Sequence, residues 1–297
     1  MRRLAALIVV TAGLVVPLAL PASAITGNFV PDNEHPFVGL VVFYDADGEF
    51  VHRCSGSLLT PIVLLTAGHC TDASSGAVTA RVYFQQDAGA NYDPTTELDP
   101  ITGYPDFCAD GTLGVTCATS DEIYNFGFAD FEGFPNTRDA GLVILDQPIS
   151  LPEYGVLAAP GSLDALATQR GLQDLTMTIS GYGLTRSNPT GTISFRSRLM
   201  ATARLVNLNS ANTGGFNLQT TANPGHGRGG TCSGDSGGPV FYGGSDSNII
   251  VAVTSFGLNA YCKGVDFAFR TDTEAVITWI LETIPQSEID DIQIVEI

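Results

Sequence analysis

The stretch Thr231-Cys-Ser-Gly-Asp-Ser-Gly-Gly-Pro-Val240 places Ser236 among small residues. The glycines at 234, 237 and 238 lack a Cβ and therefore allow a tight backbone path. Such a path can leave one hydroxyl exposed and direct neighbouring N–H groups toward a common point. A serine nucleophile with an oxyanion hole requires that arrangement. A glycine-rich surface turn is the alternative interpretation of this stretch taken alone.

A second motif offers the base that a serine hydroxyl needs before it can act as a nucleophile. His69 closes an apolar strand in Leu65-Thr-Ala-Gly-His-Cys70, and imidazole is the natural base near neutral pH. His35, His52 and His226 lack such a context and are interpreted as solvated or locally hydrogen-bonded. The two motifs resemble the nucleophile loop and the catalytic-histidine motif of trypsin- and chymotrypsin-like serine proteases.

This resemblance implies a triad of His69, Asp139 and Ser236. Asp139 heads the apolar run Asp139-Ala-Gly-Leu-Val-Ile-Leu145, where the family carries its acid. Asp146, at the other end of that run, is the alternative and is more typical of a turn. The chain order His, Asp, Ser is that of chymotrypsin. The resemblance also implies that Gly234 and Ser236 donate the N–H groups of the oxyanion hole.

The substrate pocket is less clearly specified by the resemblance, which implies a lining of Gly230, Thr231, Ser255, Phe256, Gly257 and Asp266. Trypsin-like members carry an aspartate six residues before the nucleophile, but that position here is Gly230. Asp266 is the candidate for a carboxylate that reaches the pocket from the opposite wall. We therefore expect apolar residues to be preferred at P1, the substrate residue before the scissile bond, with Arg and Lys second.

Activation is a further implication of the resemblance. Family members become active when cleavage exposes an apolar residue whose amino group pairs with the aspartate before the nucleophile, here Asp235. Ile25-Thr-Gly27 resembles that apolar start and directly follows Ala24, the expected signal-peptidase site. The prediction is an Ile25–Asp235 ion pair formed by signal removal alone. The alternative is that Ile25 begins a flexible lead-in.

The N-terminal residues 1–24 are predicted to be a secretory signal, because Arg2 and Arg3 precede an apolar run and Ala22-Ser-Ala24. The protein is thus expected outside the cell and free of the membrane after signal removal. The formal net charge of −18 disfavours nucleic acid and anionic membranes as partners. Protein or peptide substrates and a monomeric state are expected.

Six cysteines in an exported chain suggest three disulfides, although sequence alone allows many pairings. The absence of a Cys-x-x-Cys pair argues against a metal site, and no cofactor is predicted. The resemblance implies bridges Cys54–Cys70 and Cys232–Cys262. A local Cys108–Cys117 bridge would then staple the acidic segment that contains both residues.

Short strand-like runs and frequent turns indicate an all-β fold. The resemblance implies two six-stranded antiparallel β-barrels followed by a C-terminal α-helix, within a protease domain at 25–284. Residues 85–137 are acidic and are predicted to form a solvated insertion, with calcium binding as the alternative. Residues 285–297 are predicted to be a loose acidic tail.

The function that these motifs favour is a secreted serine endopeptidase acting through an acyl-enzyme intermediate. A non-catalytic protease homologue that serves as an extracellular binding protein is one alternative. Such a binder has no need for an intact set of His69, Asp139 and Ser236. A secreted esterase is the other alternative, since the same triad can cleave esters.

Overall fold

The structure is a computed structural model that describes residues 25–88, 116–167, 175–194 and 196–297. Within them, two short strands open the chain, β1 (Thr26–Gly27) and β2 (Phe29–Pro31). The first large sheet is built from β3 (Val38–Tyr44), β4 (Phe50–Leu58), β5 (Val63–Thr66), β6 (Thr79–Tyr83), β7 (Cys117–Ser120), β8 (Glu122–Asn125) and β9 (Gly141–Ile144).

Among the described residues, the second half of the chain contains two α-helices and every strand of the other large sheet except β2, which pairs with β14. The strands of this half are β10 (Val156–Ala158), β11 (Thr176–Gly181), β12 (Arg186–Asn188), β13 (Gly191–Ile193), β14 (Leu199–Asn207), β15 (Asn217–Thr221), β16 (Gly229–Gly230), β17 (Pro239–Tyr242), β18 (Ile249–Gly257), β19 (Val265–Arg270) and β20 (Ile294–Val295). The strands β12 and β13 pair with each other, and β16 pairs with β1. The helices are α1 (Asp164–Ala167) and α2 (Glu274–Thr283). Thr273 caps α2, since its side chain accepts a hydrogen bond from the N–H of Val276.

Both large sheets close on themselves, and the predicted two-barrel fold is confirmed. In the first barrel β7 and β8 are halves of one bent segment that pairs with β6 on one side and β9 on the other. In the second barrel β17 pairs with both β11 and β18, which completes a ring with β14, β15 and β19. Pairing within both rings is antiparallel, as predicted, and outside them β10 runs parallel to β18 and β20.

Apolar side chains explain where these strands lie. Every residue of β3 is buried, because the strand contributes to the interior core on both of its faces. In β14 the buried residues alternate with more exposed ones, as expected for a strand with one face turned toward a core. Each barrel thus has its own cluster of buried apolar residues.

Part of the acidic segment at 85–137 is not the solvated insertion that the sequence predicts, because it belongs to the first barrel. Residues 116–125 form β7 and β8 and complete the first barrel. The residues that follow, up to 137, fold into consecutive hydrogen-bonded turns: the N–H of Glu132 donates to Ala129 O, and the N–H of Phe134 donates to Phe131 O. Cys108 and the rest of 89–115 lie outside the described residues.

The C-terminal residues are ordered rather than loose. A 3-10 helix at Gln286–Asp291 leads into β20, which adds to the edge of β10. Glu288 Oε2 accepts a hydrogen bond from Thr60 Oγ1 at 2.6 Å. Ile289 and Ile292 pack against the first core. The acidic composition of this segment gave no indication of that packing.

The buried guanidinium of Arg198 ties the two barrels together. It donates to the carbonyl oxygens of Asp32, Val38 and Phe84, each at 3.1 Å. Val38 and Phe84 belong to the first barrel region, while Arg198 directly precedes β14 of the second. The residues of the sequence motifs, His69, Asp139 and Ser236, lie where these two barrels meet.

Candidate active site

His69 and Asp139 meet at the end of the first barrel. His69 lies in a 3-10 turn at Gly68–Cys70 that follows β5, and Asp139 precedes β9, the neighbouring strand. The Nδ1 atom of His69 lies 2.9 Å from Asp139 Oδ2, and the His69 N–H donates to Asp139 Oδ1 at 2.7 Å. This contact fixes the ring orientation and leaves Nε2 free to accept a proton.

Ser255 is a partner of this pair that the sequence assigned only to the substrate pocket. Its hydroxyl donates to Asp139 Oδ2. Asp139 is fully buried, so each bond to its carboxylate stabilises a charge that water does not reach. Burial opposes the charged form of His69, but the charge of Asp139 and its hydrogen bond to the ring outweigh burial and raise the pKa of His69.

Ser236 lies on a tightly packed loop beside this pair. A Cβ at Gly237 would lie 2.5 Å from Ser55 O, so only glycine allows the loop to approach β4 this closely. Ser55 also donates its backbone N–H to Ser236 O at 2.7 Å. Among the described residues no hydrogen bond joins Ser236 Oγ to His69, and catalytic hydrogen bonds are often long before substrate binds.

The N–H groups that the resemblance assigns to an oxyanion hole are available. Gly234 has φ +96°, and its carbonyl oxygen accepts from Ser55 Oγ at 2.9 Å. The N–H groups of Gly234 and Ser236 make no hydrogen bond to another residue that the structure describes. They can therefore bind an incoming oxygen atom without first breaking an internal bond.

The other acid and the other histidines that the sequence offers for the triad lie away from Ser236 and have partners of their own or are exposed. Asp146 lies at the far end of β9 and accepts from Thr119 Oγ1 at 2.7 Å. His52 contacts Cys70 O through Nε2 at 2.9 Å, and His226 is exposed. His35 is buried, with Nδ1 2.9 Å from Asp32 Oδ1, a pairing that the sequence did not suggest.

A cavity of about 340 Å³ opens beside Ser236. It brings together five of the six predicted pocket residues, namely Thr231, Ser255, Phe256, Gly257 and Asp266. Gly230 lies behind Asp266, since a Cβ there would be 2.7 Å from Asp266 Oδ2. Asp266 is 4% exposed and accepts from the Thr231 N–H at 2.6 Å. Burial raises its pKa to about 6.

Ile25 and Asp235, the two residues of the predicted activation pair, are both buried, and no contact joins them among the described residues. The Ile25 side chain is fully buried in the core of the second barrel, and Thr26 pairs with Gly230. Asp235 is fully buried and accepts from the N–H groups of Gly183 and Cys232, each at 2.8 Å. Burial raises the pKa of Asp235 to about 7. Among the described side chains, no basic group forms an ion pair with it.

Two of the predicted disulfides are present, Cys54–Cys70 beside His69 and Cys232–Cys262 beside Ser236. The Cys108–Cys117 pair stays a prediction because Cys108 lies outside the described residues. Three residues with atoms that can ligate a metal lie close together, namely Cys54, His69 and Cys70. Both of its sulfur atoms are in the first disulfide, so the group does not offer thiolate ligands.

Comparison with protein families places the chain among known proteins. The sequence profile of the family described as Trypsin matches residues 24–280. The chain belongs to the trypsin family. The match covers both barrels and most of α2. In the described part of this trypsin-family chain, no helix is long and apolar enough to cross a membrane.

Individual relatives are distant. Brachyurin of Leptuca pugilator is 27% identical over 77% of this chain and 87% of its own length. Serine protease 7 of Drosophila melanogaster is 27% identical over 87% of this chain and 64% of its own. CLIP domain-containing serine protease B10 of Anopheles gambiae is 28% identical over 44% of this chain. The chain spans about a third of that last relative and under two thirds of serine protease 7.

Solved structures agree on the fold. The HL collagenase structure has a TM-score of 0.60 at 18% identity and covers 87% of this chain, with 97% of its own chain aligned. A mutant of human heparin binding protein has a TM-score of 0.58 at 20% identity, covering 86% of this chain and 94% of its own. At such identities the likeness concerns the fold alone.

Proposed function

We propose that this trypsin-family chain is a secreted serine endopeptidase that hydrolyses protein or peptide substrates as a monomer. The observation that carries the proposal is the buried Asp139 carboxylate bonded to His69, beside a cavity that Ser236 lines. A binding protein does not require a buried acid oriented on a partly exposed imidazole. The match of residues 24–280 to a family of peptidases favours peptides over simple esters as substrates.

The proposed reaction passes through two steps of acyl transfer. Ser236 Oγ attacks the carbonyl carbon of the scissile bond while its proton moves to His69 Nε2. The oxygen of the tetrahedral intermediate accepts hydrogen bonds from the N–H groups of Gly234 and Ser236. His69 then returns the proton to the leaving amine, which leaves an ester on Ser236. Water, deprotonated by His69, cleaves that ester and restores the serine.

Labelling by a fluorophosphonate probe tests this proposal directly, because the probe reacts only with an activated serine. We expect one equivalent of label on Ser236, identified by peptide mapping. Ser236→Ala should remove the label, while Ser287→Ala, at an exposed serine of the C-terminal segment, should retain it. Absence of labelling in a folded chain that begins at Ile25, or labelling at another serine, would refute the proposal.

The pH dependence of the reaction follows from the environment of His69. Its pKa is raised above the ordinary value of 6.5, and only the neutral ring can accept the proton of Ser236. Activity should therefore fall as the pH drops through a value above about 6.5. The kcat/KM of a neutral peptide substrate, measured from about pH 5 to 8, gives the acidic limb of the pH–activity profile. Full activity at pH 5 would contradict the role of His69.

Asp266 is the proposed determinant of specificity at P1. The apolar preference expected from the sequence rested on Gly230, which stands where trypsin-like members carry an aspartate, and Asp266 was the secondary contact for Arg and Lys. Asp266 lines the cavity. An ionised carboxylate with little access to water attracts the cationic end of Arg or Lys strongly. We therefore propose a basic P1 preference that Asp266 provides.

Substitution of Asp266 tests this proposal. Asp266→Asn should reduce kcat/KM for Arg and Lys substrates by roughly 10²-fold and leave Leu substrates nearly unchanged. Because its pKa is about 6, the preference of the wild type should weaken as the pH falls through that value. A peptide library in which Leu or Phe at P1 is preferred in the wild type would restore the apolar interpretation.

A further inference from the structure

A second cavity, of about 140 Å³, opens beside the N-terminal strand β1 and is here called the basic cleft. Four segments of the chain form its wall: β1, residues 185–187, the pair Ala222 and Pro224, and residues 261–263. Cys262 lines both this cleft and the cavity of Ser236. The cleft therefore lies next to the substrate cavity and against the first described residues of the chain.

The basic cleft carries positive charge in a protein whose formal net charge is −18. It is lined by Arg186 and by Lys263, the single lysine of the sequence. In the part of the chain that the structure describes, no aspartate or glutamate lines it. Among the same residues neither cation forms an ion pair or donates a side-chain hydrogen bond. Two unpaired cations at one small cavity indicate a site for an anion.

The two walls that carry these cations are fixed to each other. Ser187 Oγ, one residue after Arg186, donates to Ala260 O at 2.6 Å and so joins β12 to the loop that holds Lys263. In that loop Cys262 has φ +54°, a left-handed conformation that is unfavourable for a residue with a side chain. Backbone strain of this kind persists where the surrounding structure enforces it, and it is frequent at ligand sites.

The start of the chain forms another side of the basic cleft. Thr26 of β1 pairs with Gly230, and its Oγ1 donates to Gly230 O at 3.2 Å. The N–H of Asn28 donates to Arg228 O at 3.1 Å. Ile25, directly before this strand, is fully buried. A ligand that contacts β1 and the opposite walls together opposes their separation, because it binds only while the cleft is intact.

From these observations we propose that the basic cleft binds a small multivalent oxyanion, one that carries two or more charged oxygen atoms. Arg186 binds one part of the anion and Lys263 another. The bound anion holds β1 against its neighbours and thereby stabilises the conformation in which Ile25 is buried. This last effect, a regulation by anions, rests on the proposed endopeptidase function, whereas the binding itself does not.

Size and charge favour a small anion over a larger ligand. The cleft has about 140 Å³, below the range of about 300–1,000 Å³ for cavities that bury drug-sized ligands. A polyanion such as a nucleic acid would also meet the negative charge of the remaining surface. The planar guanidinium of Arg186 can donate to two oxygen atoms of one sulfate, phosphate or carboxylate group, and Lys263 adds a compact charge.

The single lysine makes binding directly observable. In a chain that begins at Ile25, carries Ser236→Ala against self-digestion and is labelled with ¹³C-lysine, one NMR signal reports Lys263. Sulfate, phosphate and malonate are titrated separately at constant ionic strength, so that general screening is unchanged. We expect at least one of them to shift the signal with a Kd on the order of 1 mM. Sulfate or phosphate alone indicates an inorganic ligand, and malonate a dicarboxylate.

Variants of the other cation test the site in the same labelled chain. Arg186→Gln should weaken binding by about tenfold, because it removes the charged donor. Arg186→Lys keeps the charge and should retain most of the affinity, which also guards against misfolding. Arg204→Gln removes an equal charge from β14, outside the cleft, and should leave Kd within about twofold of its parent.

Hydrogen exchange tests the effect on β1. At an anion concentration of about ten times Kd, the amides of residues 26–31 should exchange roughly tenfold more slowly, because opening of β1 removes one wall of the cleft. The protection should be absent when Arg186→Gln and Lys263→Gln are combined, and it should persist in Lys263→Arg.

The outcomes that would overturn the proposal are distinct. A Lys263 signal that none of the three anions shifts up to about 50 mM excludes the site. An unchanged Kd in Arg186→Gln, or an equal loss in Arg204→Gln, excludes it as well. Binding without protection of residues 26–31 excludes the coupling to Ile25. Both measurements use an inactive chain, so a wild type that takes up no fluorophosphonate overturns the endopeptidase and leaves the anion site standing.

Discussion

Ser236→Ala and His69→Ala are each expected to lower kcat by about 10⁶-fold, and Asp139→Asn by about 10⁴-fold. Without Ser236 no acyl-enzyme can form, and without His69 the serine keeps its proton. The smaller loss at Asp139 reflects its indirect role, since it orients the His69 ring through a 2.9 Å contact. Single-turnover and steady-state hydrolysis of a peptide amide measure these losses.

Double and triple variants should lose little beyond the worst single variant, because the three residues act as one unit. A residual rate of about 10³- to 10⁴-fold over water should remain through substrate binding and the Gly234 and Ser236 N–H groups. Ser255→Ala provides a graded comparison, since it removes one of the bonds to Asp139 and leaves His69 in place. Wild-type rates in Ser236→Ala would exclude this serine as the nucleophile.

A chain that begins at Ile25 is expected to be about 10²- to 10³-fold, or about 3–4 kcal/mol, more active than one that retains Ser23-Ala24 ahead of it. Only the first has a free amino group at Ile25, which is available to neutralise Asp235. Asp235 is fully buried and has backbone N–H partners but no ion pair among the described side chains. Its loop contains Gly234 and Ser236, so an uncompensated charge there should distort the oxyanion hole.

The pH dependence of stability offers an independent measurement. When the Ile25 nitrogen is part of a peptide bond, burial holds the pKa of Asp235 at about 7, above its ordinary value of 3.8. A raised carboxyl pKa stabilises the folded state at low pH, and that stability is lost as the pH rises through the folded value. The melting temperature of the longer chain should therefore fall as the pH rises from about 4 to about 7, the interval between the two pKa values, unlike that of the chain starting at Ile25.

Equal activity of the two chains, with equal folding by circular dichroism, would exclude this mechanism of activation. A native mature N-terminus located well downstream of Ile25 would exclude it as well. Asp235→Asn supplies a matched control: it removes the charge in both chains, so the difference in their pH dependence should disappear.

The sequence predicted the parts of the fold that depend on local patterns. Apolar runs such as 37–44 and 249–256 became strands because their side chains fill the barrel cores. Residues 116–125 and 285–297 were misjudged because composition dominated the prediction. Their apolar residues complete a barrel or pack against the first core, and only the tertiary structure reveals those partners.

In the candidate site, too, local motifs were predictable from the sequence and tertiary contacts were not. His69, Asp139 and Ser236 stand in extended motifs, so each could be chosen from the sequence. The hydrogen bond from Ser255 to Asp139 and the His35–Asp32 pair join residues whose motifs give no sign of the contact. The place of Asp266 in the cavity wall was uncertain by sequence alone, because it depends on the register of β19 against β18.

The two described ends of the chain differ in a way that matters for recombinant production. Ile25 is buried, and a fusion partner or affinity tag joined ahead of it would keep its nitrogen in an amide bond. Ile297 is 39% exposed, two residues beyond the pairing of β20. An extension placed after Ile297 would project into solvent and leave the Ile25 amine free. Purification handles for this protein should therefore be attached at the C-terminal side.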